Sequence, residues 1–190
     1  MVRGRLAVET PLETFAQAVR LHQQGHLLQA ETLYRQVLDR RPEHPGALHL
    51  LGVLRQQQDA HAEAAELIAR AIALNPDQAI YYVNHGVVLR ALGQLEAAEA
   101  ALHAAIGLTP DLADAHSNLG LVLHLQGKPK QAQASFESAL RFQSEHVDVL
   151  FNLANLYREQ AKEELAVPLY ERAHRAAPHR ADVLNNLGNA

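Results

Sequence analysis

Residues 113–146 read ADAHSNLGLVLHLQGKPKQAQASFESALRFQSEH, and the whole fold follows from recognising that this stretch is written several times. Its landmarks are Gly120, Gly127, Ala132, Phe136, Ala139 and Ser144. Counting 34 residues in either direction finds their counterparts. Small residues stand at Ala18, Gly52, Gly86, Ala154 and Gly188, and alanines at Ala30, Ala64, Ala98 and Ala166. Bulky residues follow at Tyr34, Ile68, Leu102 and Tyr170, then Val37, Ala71, Ala105 and Ala173, then Pro42, Pro76, Pro110 and Pro178. Alanine is common enough here to recur by accident, but four of the ten glycines and four of the eight prolines each share one phase. A fixed period of this length marks a tandem array of small units that stack on one another.

Within a unit, apolar residues are spaced by three and four, as in Leu119, Val122, Leu123 or Ala98, Ala101, Leu102, Ala105, which is the spacing of one helix face. Gly25, Gly93 and Gly127 fall midway through their units, where a left-handed residue ends a first helix, and the prolines end a second. Each unit is therefore a helix pair, with the small residues allowing close approach. The pattern resembles the tetratricopeptide repeat, with its small residue in the first helix, alanine, aromatic and alanine in the second, and closing proline. The resemblance covers residues 11–190 and implies an all-α, right-handed superhelical solenoid of antiparallel helix pairs. Repeats are expected at 11–44, 45–78, 79–112, 113–146 and 147–180, after a lead-in at 1–10 and before the opening of a sixth unit at 181–190.

Four departures stand out. Ser144 replaces the closing proline, Ala161 replaces the inter-helix glycine, and His85 occupies a place where the family has leucine. Pro168 falls near the first turn of a second helix, costing a hydrogen bond if that helix starts early and nothing if it starts late. Together they predict irregular geometry between the fourth and fifth units. The sixth unit lacks a second helix, which leaves Leu184 and Leu187 without cover. That reads as a chain cut from a longer protein, with self-association through the open end a further expectation.

Composition removes several classes of function. Seventeen Lys and Arg against 21 Asp and Glu give a net charge of −4, and no basic run exceeds Arg40-Arg41, so nucleic acid is not an expected partner. Cysteine is absent, excluding disulfides and thiolate chemistry. No apolar run approaches the ~18 residues of a membrane span, and with no signal sequence visible the reading is a cytoplasmic protein. His22 and His26 have metal-ligand spacing but no surrounding metal motif, and no phosphate loop, nucleophile elbow or paired carboxylates appear. Neither metal, cofactor nor intrinsic catalysis is expected. Most histidines belong on the surface, with His49, His116 and His124 as candidates for a ligand face.

The strongest functional signal is a row of asparagines. Asn84, Asn118, Asn152 and Asn186 are 34 apart and make up four of the eight in the chain; the first two units have Ala16 and Leu50 there instead. Asparagine costs roughly 0.5 kcal/mol against alanine in a helix interior, so propensity does not select it. Carboxamides match both the N–H and C=O of an extended peptide and would grip main chain with little sequence demand. The other reading is that each fixes one unit against the next. Asn155 joins the candidate set, as do Asp114 and Asp148, one turn before Asn118 and Asn152. Those acids, with Asp182, would favour basic ligand side chains, or would serve only to complement the helix dipole.

Ser117-Asn118-Leu119-Gly120, Phe151-Asn152-Leu153-Ala154 and Asn185-Asn186-Leu187-Gly188 resemble the repeat arm of O-linked N-acetylglucosamine transferases, which holds extended substrates. Similar repeats precede sulfotransferase and methyltransferase domains. The resemblance therefore implies a protein-interaction module that binds a polypeptide in a concave groove, either alone or as the recruiting arm of a larger transferase. A second branch of the family clamps C-terminal carboxylates. Val83, Val87, Asp148 and Asn152 stand at its clamp positions and only Asn118 fits, which argues against that use.

Overall fold

The computed structural model describes residues 10–180, so the expectations for Asn186, Asp182, Leu184 and Leu187 lie outside the described residues. Among those described there are ten α-helices and no strand. They are α1 (Pro11–Gln23), α2 (Leu27–Arg40), α3 (Pro45–Gln57), α4 (His61–Leu74), α5 (Ala79–Ala91), α6 (Leu95–Leu108), α7 (Ala113–Leu125), α8 (Pro129–Phe142), α9 (Val147–Glu159) and α10 (Glu163–Ala176). The chain divides between Leu92 and Gly93 into two compact units. In the first, α1 packs on α2 and α3 on α4, while α2 meets α3 and α4 meets α5. The second repeats this with α7 on α8 and α9 on α10, joined by contacts of α6 with α7 and α8 with α9.

Each turn from a first helix to a second has one residue with positive φ, and these residues are 34 apart: Gly25 (80°), Asp59 (59°), Gly93 (73°), Gly127 (71°) and Ala161 (54°). The hydrogen bonds explain the requirement. Gly127 N donates to His124 O and Lys128 N to Leu123 O, both at 2.9 Å, the paired bonds that close a helix through a left-handed residue. Ala161 and Lys162 make the same pair to Arg158 and Tyr157, at 2.9 and 3.0 Å. Ala161 thus holds the glycine conformation at a steric cost of about 1–2 kcal/mol. Asp59 does likewise, a substitution the glycine pattern alone does not reveal.

The helix entries are fixed locally. Thr10 and Glu13 form a reciprocal cap on α1, with Glu13 N donating to Thr10 Oγ1 at 3.2 Å and Thr10 N to Glu13 Oε2 at 2.8 Å. His44 Nδ1 accepts from Ala47 N at 3.1 Å at the start of α3. Proline opens α1, α3 and α8, where its missing N–H removes no helical bond.

The expected irregularity between the fourth and fifth units is mostly absent. Gln143, before Ser144, has φ −138° and ψ 88°, close to the −141° and 81° of Arg41 before Pro42 and the −139° and 88° of Thr109 before Pro110. The packing of the helix pair imposes this conformation whether or not a proline follows. Ser144 O also accepts from Arg172 Nη2 at 2.7 Å, as Pro42 O does from Arg70 Nη2 at 3.4 Å.

Pro168 is the true break. Because α10 begins at Glu163, Pro168 lies inside the helix, beyond the first turn, and cannot donate to the Glu164 carbonyl. Its ring is exposed, so no packing offsets the loss. Pro168→Ala is expected to stabilise the chain by about 1–2 kcal/mol, less than the ~3 kcal/mol of a central proline because alanine also frees the unfolded chain. Urea unfolding checks it: a midpoint unchanged or lowered would mean the ring is structurally required.

The cores follow from the landmarks. In the first unit Tyr34, Leu48, Leu51 and Leu54 are fully or almost fully buried, with Ala18 and Ala30 allowing the helices to meet. In the second, Phe136, Ala132 and Ala139 are buried from α8, and Leu150 packs with Ala173.

Candidate peptide-binding faces

First helices carry the candidate residues, and the structure gives each a different environment. In the first unit, α3 touches both α1 and α5, so the three first helices form one continuous surface. Asn84, half-buried on α5, places Nδ2 2.8 Å from Nε2 of His49 on α3. His49 is not available to a ligand as the sequence suggested. It is 6% exposed and stacked on Tyr81, with ring centroids 4.3 Å apart and planes at 29°. Burial pushes its imidazole down to about 4, so it stands neutral, with Nε2 accepting from the Asn84 amide. Burial also lowers the half-buried His85. His44 is lowered by burial and by the neighbouring Arg41.

In the second unit, Asn118 Nδ2 donates to the Asp114 carbonyl one turn back at 2.9 Å, leaving its Oδ1 and second N–H unengaged. Asn152 is half-buried on α9 and makes no hydrogen bond among the described residues. Asn155 is engaged from beneath, since the Tyr170 hydroxyl donates to its Oδ1 at 2.6 Å. That bond satisfies a tyrosine with no exposed surface.

Both acids have partners that sequence reading missed. His146 Nε2 lies 3.4 Å from Asp114 Oδ1, and Arg180 Nη1 bonds Asp148 Oδ1. In each case the partner is 32 residues downstream, at the entry to the following helix pair or its equivalent, so the repeat spacing itself held the signal. Arg180 also lies over the Phe151 ring, 5.5 Å from its centroid. His116 stacks on Phe142 and sets Nε2 2.9 Å from Pro110 O, and His124 lies 3.3 Å from Glu159 Oε2 on α9. Neither is a free ligand contact.

His22 and His26 do not converge. His22 sets Nδ1 3.2 Å from the Tyr34 hydroxyl and Nε2 3.2 Å from Gln57 Oε1, while His26 is exposed at the N-cap position of α2 and makes no capping bond through its side chain. No group of three or more potential metal ligands occurs among the described residues, and no helix there is long and apolar enough to cross a membrane.

Known proteins share these features. Tetratricopeptide-repeat models match residues 15–79 and 111–179, and a TPR-repeat model matches 86–127. No curated protein sequence matches the chain. Among solved structures, a thermophilic TPR protein of Thermus thermophilus, TTC0263, superposes with a TM-score of 0.79 at 25% identity, over 95% of this chain and 98% of that one. PilF of Pseudomonas aeruginosa gives 0.82 at 26% identity, over 92% and 79%. YrrB, described as a TPR protein with an unusual peptide-binding site, gives 0.71 at 20% identity over 93% and 91%, a likeness of fold. Period, paired helices, left-handed turns and matched models agree that this chain belongs to the tetratricopeptide-repeat family.

Proposed function

We propose that the chain is a protein-interaction module that holds an extended polypeptide on the surfaces of its first helices and carries out no chemistry on it. The observation that carries this reading is the unengaged hydrogen-bonding capacity of Asn118 and Asn152, at the same place on α7 and α9. These free groups are not shut off from solvent, so a peptide can reach them and replace the water they meet. A peptide backbone offers a donor and an acceptor at each residue, and two carboxamides on neighbouring helices would pair with it without reading its side chains. The acids fit as a second line of contact, because Asp114 and Asp148 are still 58% and 64% exposed despite their partners. YrrB supports the reading as a structural relative described by its peptide-binding site.

Asn84 favours the other reading for its own position. Its bond to His49 ties α5 to α3, and its role there is to set one helix pair against the next.

The test uses peptides selected from a random display library on the wild-type chain. Asn118→Ala combined with Asn152→Ala is expected to weaken their binding by about tenfold or more, with the melting temperature nearly unchanged. Unaltered affinity alongside a clear loss of stability would make both residues structural and remove the basis of the proposal.

A further inference from the structure

A cleft of about 290 Å³ opens in the first unit, lined by Val19, His22, Gln23, Tyr34, Leu50 and Gln57. It lies where the asparagine row is interrupted, with Leu50 at the place that Asn84 occupies on the next first helix. Val19 and Leu50 give it apolar walls, and its polar groups are ordered by a chain of hydrogen bonds. The buried Tyr34 hydroxyl lies 3.2 Å from His22 Nδ1. Gln57 Oε1 only accepts, so the His22 Nε2 3.2 Å away carries the N–H that donates to it. With its carbonyl engaged, Gln57 offers a ligand its amide N–H groups.

Charge points the same way. The first helices of this unit, α1, α3 and α5, contain one carboxylate, Glu13, which is engaged in the cap with Thr10. Arg55 is held by Glu31 and Glu63 on the neighbouring second helices, and Arg90 makes no ion pair among the described residues. The first helices α7 and α9 of the second unit contrast sharply, with Asp114, Asp148 and Glu159. A cleft with aliphatic walls, N–H donors at its polar end and no carboxylate in its lining complements an aliphatic stem that ends in a carboxylate.

We infer that this cleft is a side-chain subsite of the first unit that selects a glutamate of the bound polypeptide, the stem lying between Val19 and Leu50 and the carboxylate accepting from Gln57. The inference rests on the peptide-binding reading above and adds a sequence preference to it. A lysine in the same place would bring donors to donors. A glutamine would keep the acceptor but lose the charge, and should bind between the two.

The experiment uses three fluorescein-labelled peptides of alternating leucine with glutamate, glutamine or lysine, titrated against the full chain by anisotropy. The glutamate peptide is expected to bind about tenfold or more tightly than the lysine peptide. Leu50→Glu, which sets a carboxylate in the wall, should abolish that preference. Gln57→Glu serves as a second, exposed substitution should Leu50→Glu unfold, as judged by circular dichroism. Equal binding of the glutamate and lysine peptides overturns the subsite and leaves the peptide-binding reading standing. A preference that survives in a folded Gln57→Glu or Leu50→Glu chain overturns it as well. Failure of all three peptides to bind overturns the subsite, and failure of library-selected peptides too would overturn the general reading.

Discussion

Gly120→Val is expected to destabilise the chain by about 3 kcal/mol or more. A Cβ at Gly120 would lie 2.5 Å from Cε1, 2.6 Å from Cδ1 and 2.9 Å from Cζ of Phe136, well inside van der Waals contact. The ring cannot swing away, because Phe136 is 1% exposed and flanked by the buried Ala132 and Ala139 on its own helix. Alanine there would recover part of the cost through its better helix propensity, about 1 kcal/mol over glycine, whereas valine adds two more carbons and forfeits most of that gain. Gly52 shows that this is how helix pairs approach in this chain, since its Cβ would fall 2.7 Å from Ile68 Cγ1. Ile68 is fully buried too, and the Ala64 carbonyl oxygen lies 3.2 Å from that Cβ, so Gly52→Val should also be clearly destabilising. Chemical denaturation measures both, and a double-mutant cycle identifies the cause. Phe136→Ala alone should lose about 3–5 kcal/mol, and combined with Gly120→Val the total should fall short of the sum by about 1 kcal/mol or more. Strict additivity would place the strain elsewhere than between these two residues.

The same pair shows why the fold was legible in the sequence. A glycine followed sixteen residues later by a bulky side chain recurs in phase because both faces of one contact recur, and apolar spacing of three and four fixes the helices that carry them. Helical class and family therefore emerge from residue types alone. Contacts that depend on geometry did not. Pro168 could not be weighed without the start of α10, since only a helix opening three residues later, at Ala166, would make its missing N–H harmless. Asp59 could not be recognised as left-handed from composition, because the turn imposes that conformation on whatever residue arrives there.

The candidate residues were legible as a row and illegible as individuals. Asn84, Asn118 and Asn152 share a repeat position yet have three environments: a histidine partner, a backbone carbonyl one turn back, and no hydrogen bond among the described residues. What differs is the neighbour across the helix. His49 precedes Asn84 by 35 residues, whereas Ser117, at the equivalent place before Asn152, has a side chain too short to offer the same reach. The acids likewise looked identical, while their partners across the repeat differ in kind, an imidazole for Asp114 and a guanidinium for Asp148.

Acid should weaken the first unit specifically, and His49 is the reason. In the folded chain burial holds its imidazole at about 4, against an ordinary value of 6.5. Its folded pKa is thus depressed, so the unfolded chain binds a proton that the folded chain refuses as pH drops below 6.5. The stabilisation is fully present above pH 6.5 and is lost progressively down to about pH 4, a difference worth about 3 kcal/mol. Protonation would also set an N–H on Nε2 against the Asn84 amide N–H, donor against donor, and so break the bond between α3 and α5. His85 and His44, both lowered mainly by burial, act in the same direction in the same unit. His49→Phe keeps an aromatic ring against Tyr81 and removes the titration. The variant will be less stable at pH 7 through loss of the Asn84 bond, but its further loss between pH 6.5 and 4 should be smaller than that of the wild type by about 3 kcal/mol. Comparing the two slopes removes the contribution of the carboxylates, which titrate in both. Parallel stability curves across that range would show that His49 accepts a proton without loosening the fold, and native-state hydrogen exchange in α3 and α5 at pH 7 and pH 4.5 provides the local check: opening should rise there first.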